Sequence, residues 1–427
     1  MVIYTDATVD RIPQLAALSP SLREEIQVAA KIFPFRVNNY VLDHLIDWES
    51  VPDDPIFCLV FPRRAMMAPE DFDDIKGLSR HGASHSVLQD RIRAIWDGMN
   101  PHPGGQLTLN RPKLDGKELS GIQHQYPQTV LFFPSEGQFC HSYCTFCFRW
   151  AQFVPSAMPK FGDRDISALT KYLRAQPAVT DLLFTGGDPM VMPTKRLERY
   201  MTPLLEDETL QHVSSIRIGT KALTFWPHRF LNDVDSDELM RLFDAIVGAG
   251  KHLAIMAHFN HPRELESELC RRAIKRIQST GAVIRSQGPI LRTVNDSPDI
   301  WTEMWNAQIN LGVIPYYMFV ERNTGPYKYF KVPLVRCLEI FQESFRCKNL
   351  SGLAKTVRGP VMSCSPGKVQ IQDAAMLDGK PRFLMQFIQA RDPQLALRTF
   401  TAELDPDACW ISDLKHNADW PDVDFTD

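Results

Sequence analysis

No run of apolar residues in this 427-residue chain approaches the roughly 20 that a bilayer-crossing helix needs. The opening stretch, MVIYTDATVDRIPQ, also lacks the basic-then-apolar pattern of a secretory leader. No membrane partner is therefore expected, and a cytoplasmic location is. A basic surplus is missing as well: 47 Lys and Arg against 51 Asp and Glu give a formal net charge of -4, which removes the electrostatic footprint of a nucleic-acid partner. Cysteine is sparse, nine in all and an odd number; this excludes a disulfide framework and suits a reducing compartment. Short-period repeats and low-complexity tracts are absent. What is present is enough apolar sequence, 44% of the residues, to build one large catalytic domain with appendages.

Organisation follows from periodicity. Residues 1–115 show helical spacing, as in SLREEIQVAAKIF and SVLQDRIRAIWDGM, broken by Pro-rich joints such as VPDDPIFCLVFPRRAM. From about Thr129, short apolar runs alternate with amphipathic helices: TVLFF, DLLFTG, SSIRIGT, HLAIMAHF, AVIRSQGPI and VIPYYMFV are the runs. That order predicts an α/β fold with a parallel sheet, a partial (β/α)6-type barrel over 116–368, whose chemistry sits at the carboxyl ends of the strands. Residues 369–427, ending in the acidic ADWPDVDFTD, are expected to form a short, separate closing segment.

The sharpest motif is FCHSYCTFCFRW, which places Cys140, Cys144 and Cys147 in a loop just after the first predicted strand. Three thiolates can hold three irons of a 4Fe–4S cube and leave the fourth open to chelate the amino and carboxylate groups of S-adenosylmethionine (SAM). Phe139, Tyr143, Phe146, Phe148 and Trp150 are placed to shield such a cluster from water. A zinc site, the competing reading, usually wants a fourth ligand from a second Cys or His pair, and no second pair follows. One strand later, DLLFTGGDPM ends in Gly186, Gly187, Asp188 and Pro189. Paired glycines admit close approach of backbone to a ligand, here the amino group of SAM, although alone they make an ordinary tight turn.

Together with HQYPQTVLFF, SSIRIGTK, AHFNHPREL, QGPILRTVND, IPYYMFVERN and SGLAKTVRGPVMSCSPGK, these motifs give a chain that resembles the lysine 2,3-aminomutase family of radical SAM enzymes, from about DDPIFCLVFP to Lys368. The resemblance implies a 4Fe–4S cluster, SAM and commonly pyridoxal phosphate (PLP). It also implies an isomerase of aminomutase type, a small amino-acid-like substrate and an electron donor such as flavodoxin or ferredoxin. Arg149 matches the family arginine that binds the substrate carboxylate, a task suited to a two-pronged guanidinium; a plain cluster-adjacent arginine is the competing reading. Lys368 stands where the family places the lysine that bonds PLP. His258 and Asn260 at the end of one strand, and Gln287 after another, are candidate cofactor contacts, with helix capping or core packing as their alternative; His261 and Asn295 are similar cases.

The departures are equally informative. Where the lysine enzyme grips the PLP phosphate with two arginines, this chain has Gln125 and Thr129. Arg358, Lys355 or Lys221 are the candidates to compensate. Where it uses two aspartates to hold the distal ammonium, this chain has Arg322 and Val361. Arg322 repels an ammonium and attracts a carboxylate, unless Glu321 pairs with it locally. An amino acid other than lysine, glutamate-like or neutral at its far end, is the expected substrate. A PLP-independent epimerisation, dehydrogenation or rearrangement is the alternative. The family's C-terminal zinc-binding cysteines have no counterpart beyond Cys409, so no zinc is expected, and a homo-oligomer is left open.

Overall fold

The computed structural model describes residues 1–155 and 160–425. Among them no helix is long and apolar enough to cross a membrane. The N-terminal part is built on α1 (Pro20–Ile32), α2 (Pro69–Arg80) and α3 (His85–Asp97). The Ser19 hydroxyl accepts from the Leu22 amide at 3.3 Å, and Pro20 fills the first turn of α1, where a missing N–H costs nothing. Helical spacing is not the whole of this region, because Ile3–Thr5 and Arg36–Asn38 pair as a small antiparallel ribbon.

Beyond it runs one eleven-stranded sheet. An antiparallel lead-in, β1 (Ile122–Tyr126), pairs with β2 (Thr129–Phe132). Strands β3 (Asp181–Phe184), β4 (Ser215–Thr220), β5 (His252–His258), β6 (Val283–Ile290), β7 (Ile314–Val320) and β8 (Arg358–Ser363) then follow β2 in parallel. Helices α4 (Ile166–Arg174), α5 (Thr194–Glu206), α6 (Ser236–Gly248), α7 (Glu268–Gln278), α8 (Pro298–Asn310) and α9 (Leu334–Arg346) make the crossovers. This is the expected α/β partial barrel of six strand–helix units. Helix α7 shows why it forms: Cys270, Ala273, Ile274 and Ile277 fall on one stripe and are fully buried.

Alternation along the strands decides which side chains enter the hollow. In β4, Ile216, Ile218 and Thr220 are buried, whereas Ser215, Arg217 and Gly219 are not. Ile216 and Ile218 face the helices and Ser215, Arg217 and Gly219 the barrel interior, while Thr220 at the strand's end reaches the cavity wall.

The sheet does not end with the parallel strands. Strands β9 (Gly367–Leu377), β10 (Lys380–Ala390) and β11 (Thr399–Glu403) add an antiparallel meander to β8. The expected separate closing segment is thus continuous with the sheet. The cause lies in the alternation of Val369 and Ile371, of Phe383, Met385 and Phe387, and of Phe400 and Ala402. All are buried in the barrel's own core.

Candidate functional site

A cavity of about 430 Å³ occupies the barrel interior and is lined by residues at the carboxyl ends of the strands. Cys140, Cys144 and Cys147 line it, as do Gly186, Gly187, Asp188, His258, Gln287, Arg149, Arg322 and Lys368. The structure therefore brings most of the candidate residues to one chamber. Pro189, Asn260 and Asn295 are not in its wall.

The cysteine loop is held from the N-terminal side. The Tyr143 amide donates to the Arg36 carbonyl at 2.8 Å and the Thr145 amide to the Leu59 carbonyl at 2.9 Å. The Thr145 hydroxyl donates to the Cys58 carbonyl at 2.7 Å, and the Asn38 amide donates to the Ser142 hydroxyl at 3.2 Å. Burial pushes all three thiols up, Cys144 to about 12, Cys147 to about 11 and Cys140 well above the usual thiol range. Iron charge would reverse that preference, since a coordinating thiol is deprotonated outright. No three His, Cys, Asp or Glu side chains among the described residues converge as ligands of one metal ion. A four-iron cube carries each thiolate on a different iron, so its ligands stand further apart than those of a single ion, and a three-cysteine loop lining one cavity fits that donor set. The expected aromatic shield divides. Phe146 and Trp150 are buried, whereas Phe139 and Phe148 are more than a third exposed.

The glycine pair acts first on the protein itself. A Cβ on Gly187 would meet the backbone nitrogen and oxygen of Phe139 at 2.5 Å, and one on Gly186, where φ is +143°, would meet the side-chain Nε2 of Gln138 at 2.1 Å. The turn thus lets the start of the cysteine loop lie directly against it. Asp188 completes the join. Its carboxylate accepts from the Thr220 hydroxyl at 2.8 Å, the Lys221 amide at 2.9 Å, the Met190 amide at 2.9 Å and His141 Nε2 at 3.3 Å. A carboxylate with four donors has little capacity left for a ligand.

Asn260 is committed to the protein in part. Its Oδ1 accepts from Lys221 Nζ at 3.0 Å and its backbone amide donates to Glu264 at 2.9 Å, whereas its Nδ2 is buried without a hydrogen-bond partner among the described residues. Lys221 pairs with Glu264 at 2.8 Å and so is not available to a phosphate. Asn295 Nδ2 donates to the Asn260 and Pro289 carbonyls, and His261 Nδ1 accepts from the Arg263 amide, a cap. His258 differs: it faces the cavity, its ring edge-on to Phe146 at 5.5 Å, and burial holds it well below the usual imidazole range, as the neutral base.

Arg149 lies over the faces of Phe133 and Phe148, 4.6 and 4.8 Å from their centroids. Its Nη1 is buried and has no hydrogen-bond partner among the described residues. Burial, with repulsion from Arg322, lowers the guanidinium to about 10. Arg322 itself stands 6.0 Å from the Phe148 ring. Beside it the Glu321 carboxyl is pushed well above the usual carboxylate range by burial, which outweighs the attraction of Arg322. Val361 is fully buried and brings no polar atom.

In the same cavity Lys368 Nζ donates to Gln389 Oε1 at 2.6 Å and lies 4.5 and 5.5 Å from the Tyr126 and Tyr317 ring centroids. Burial, then the charge of Arg217, depresses its amine to about 7. An amine that loses its proton near neutral pH, in a ligand-sized cavity, suits bonding to a carbonyl cofactor. The two positions that lack the family's arginines are used otherwise. Gln125 donates to the Cys364 and Ser365 carbonyls, both at 3.0 Å, and Thr129 donates to Asp181 at 3.1 Å.

Sequence reasoning missed Asp181, Arg217, Arg285 and Gln389. The signal was available: in SIRIGT and VIRSQG an arginine stands between residues whose side chains face the helices, which turns it into the hollow.

No family model matches the chain. A protein of Aquifex aeolicus (strain VF5) named "Putative L-lysine 2,3-aminomutase" is 31% identical over 391 residues, 92% of this chain and 90% of its own length. The L-lysine 2,3-aminomutase of Acetoanaerobium sticklandii is 25% identical over 335 residues, 78% of this chain and 69% of its own. Among solved structures, a radical SAM methyltransferase from Sphaerobacter thermophilus aligns with a TM-score of 0.36 at 15% identity, covering 52% of this chain and 65% of its own.

Proposed function

Since this chain belongs to the lysine 2,3-aminomutase family of radical SAM enzymes, we propose that it catalyses a 2,3-aminomutase-type rearrangement of an amino acid other than lysine. When bound, the 4Fe–4S cluster supplies the electron that cleaves SAM to methionine and a 5'-deoxyadenosyl radical, and PLP supplies a carbonyl for the substrate amine. The chain's own residues bind, orient and exclude water. Cys140, Cys144 and Cys147 are the proposed cluster ligands, and a low-potential donor such as flavodoxin or ferredoxin is the proposed electron source. Gly186 and Gly187 bring the cysteine loop onto the end of β3, beside the ligand space.

The observation that carries the reading is the unpartnered, buried Nη1 of Arg149, two residues after Cys147 and in the same cavity as Lys368. A buried guanidinium N–H left unsatisfied is costly, and a substrate carboxylate is the group that relieves it. At the far end of the substrate, Arg322 and Val361 replace carboxylates. Among the described wall residues Asp181 is paired with Arg217 and Asp188 is saturated. Glu321 is held as the neutral acid. A distal ammonium has no ready counter-charge there, so an anionic or neutral end is favoured.

The test offers lysine and glutamate to the reduced enzyme and follows 5'-deoxyadenosine and deuterium incorporation. Turnover of lysine, but not of glutamate, would overturn the substrate assignment. Arg149→Met is expected to lower kcat/KM by roughly 100-fold, the loss of a charge-assisted pair. A second reading, a PLP-independent radical reaction, draws on Gln125 and Thr129 being bonded within the protein. It predicts no borohydride-trapped adduct on Lys368.

A further inference from the structure

Below the main cavity, at the amino ends of the strands, lies a second chamber of about 220 Å³. Asp181, Arg217, Met256 and Tyr316 line both, so the two share a wall. The lower chamber adds His252 from the start of β5 and Arg285 from the inner face of β6. Its charge is not balanced. Arg217 and Asp181 neutralise each other, with Arg217 Nε donating to Asp181 Oδ1 at 2.7 Å. Arg285 makes no ion pair or hydrogen bond among the described residues; its guanidinium rests 5.2 Å from the Tyr316 ring centroid. An inward-facing guanidinium over an aromatic face, in a concave chamber with a net positive wall, is a site for an oxyanion.

The amine at the boundary says which oxyanion. Lys368 touches Tyr317, whose ring lies 4.2 Å from that of Tyr316, which in turn carries Arg285. Lys368 also feels the charges of Arg217, Asp181 and Arg358. A ligand bonded to Lys368 therefore lies beside Arg217 and Asp181, part of the wall that the cationic chamber shares with the main cavity, while Gln125 and Thr129 offer no charge to it.

We infer that this chain holds the phosphate of a phosphorylated aldehyde, PLP, in the lower chamber on Arg285, with Arg217 and His252 beside it, in place of the two arginines missing at 125 and 129. The inference deepens the aminomutase reading and rests on it. The covalent step is balanced within the pair. The Lys368 amine adds to the aldehyde carbon, C=N replaces C=O, and the oxygen leaves as water with the two amine hydrogens, without oxidation or reduction. Arg285 contributes only binding, so its effect is confined to ligands that carry the phosphate.

The experiment titrates the cluster-loaded protein anaerobically with PLP and with pyridoxal, which keeps the aldehyde and lacks the phosphate. Binding is read by absorbance and by borohydride fixation with peptide mapping. Wild type is expected to bind PLP at least about tenfold more tightly than pyridoxal, the worth of one charge-assisted contact. Arg285→Ala should erase that preference and leave pyridoxal binding unchanged, and Arg285→Lys should restore part of it. Because pyridoxal binding is measured on the same variant, a misfolded protein is recognised by loss of both ligands, and Arg285→Lys then carries the comparison. Equal affinities in wild type, an unchanged PLP affinity in Arg285→Ala, or fixation at a lysine other than Lys368 overturns the inference. SAM cleavage by the reduced wild type is followed alongside. Cleavage without phosphate discrimination sinks this inference alone, whereas absence of cleavage strikes the radical reading itself.

Discussion

Burying an amine beside two guanidinium groups works against folding, and Lys368 carries that burden. Its amine titrates at about 7 in the fold against 10.5 in a free chain. The folded state therefore disfavours the charged form, and the penalty grows as pH falls from 10.5 to about 7 and is constant below. Lys368→Met should raise Tm, and the gain should be larger at pH 6.5 than at pH 9.5; a gain that is the same at both would contradict a depressed amine. At this scale the cysteines stood out in the sequence by their spacing and Lys368 by the family resemblance, and all four line one cavity. Asp188, Asn260 and Asn295 could not be assigned so, since a polar side chain at a strand end reads the same whether it meets a ligand or a neighbouring loop. Arg285 was missed because a lone arginine in an apolar strand announces itself only once the alternation of its neighbours is followed.

Among the elements, the join between the turn after β3 and the cysteine loop is the most exacting. Gly187 stands against backbone atoms of Phe139, which cannot swing aside as a side chain can. Gly187→Ala is expected to displace the loop and lower iron content per chain after reconstitution, whereas Gly352→Ala, with nothing within 4 Å of the added carbon, should not. Equal iron in the two variants would mean that the loop tolerates the shift. The parallel strands and their helices were legible as alternating apolar runs and amphipathic stripes. The antiparallel meander β9–β11 was not, because its polar outer face dilutes the apolar signal that marks strands covered on both sides.

For the molecule as a whole, the N-terminal helical part is a clamp on the cysteine loop. Asn38 joins three parts at once: Nδ2 donates to the Phe225 carbonyl at 2.9 Å, Oδ1 accepts from the Val41 amide at 3.1 Å, and the amide donates to Ser142. Asn38→Ala should destabilise the protein by about 2 kcal/mol, the cost of unsatisfied buried groups. It should also speed hydrogen exchange at the Tyr143 and Thr145 amides, which bond to this layer. Unchanged exchange there would separate the clamp from the loop. The sequence marked this region as helical but held no sign of what it grips, since those bonds are made by backbone atoms. The shared wall between the two chambers has a longer reach. The carboxyl ends of the strands carry the cysteines and Arg149, while the amino ends carry Arg217 and Arg285. Substitutions can accumulate at one end of the barrel without passing through the other. A change in the cationic chamber at the amino ends need not touch the loop that carries the cysteines.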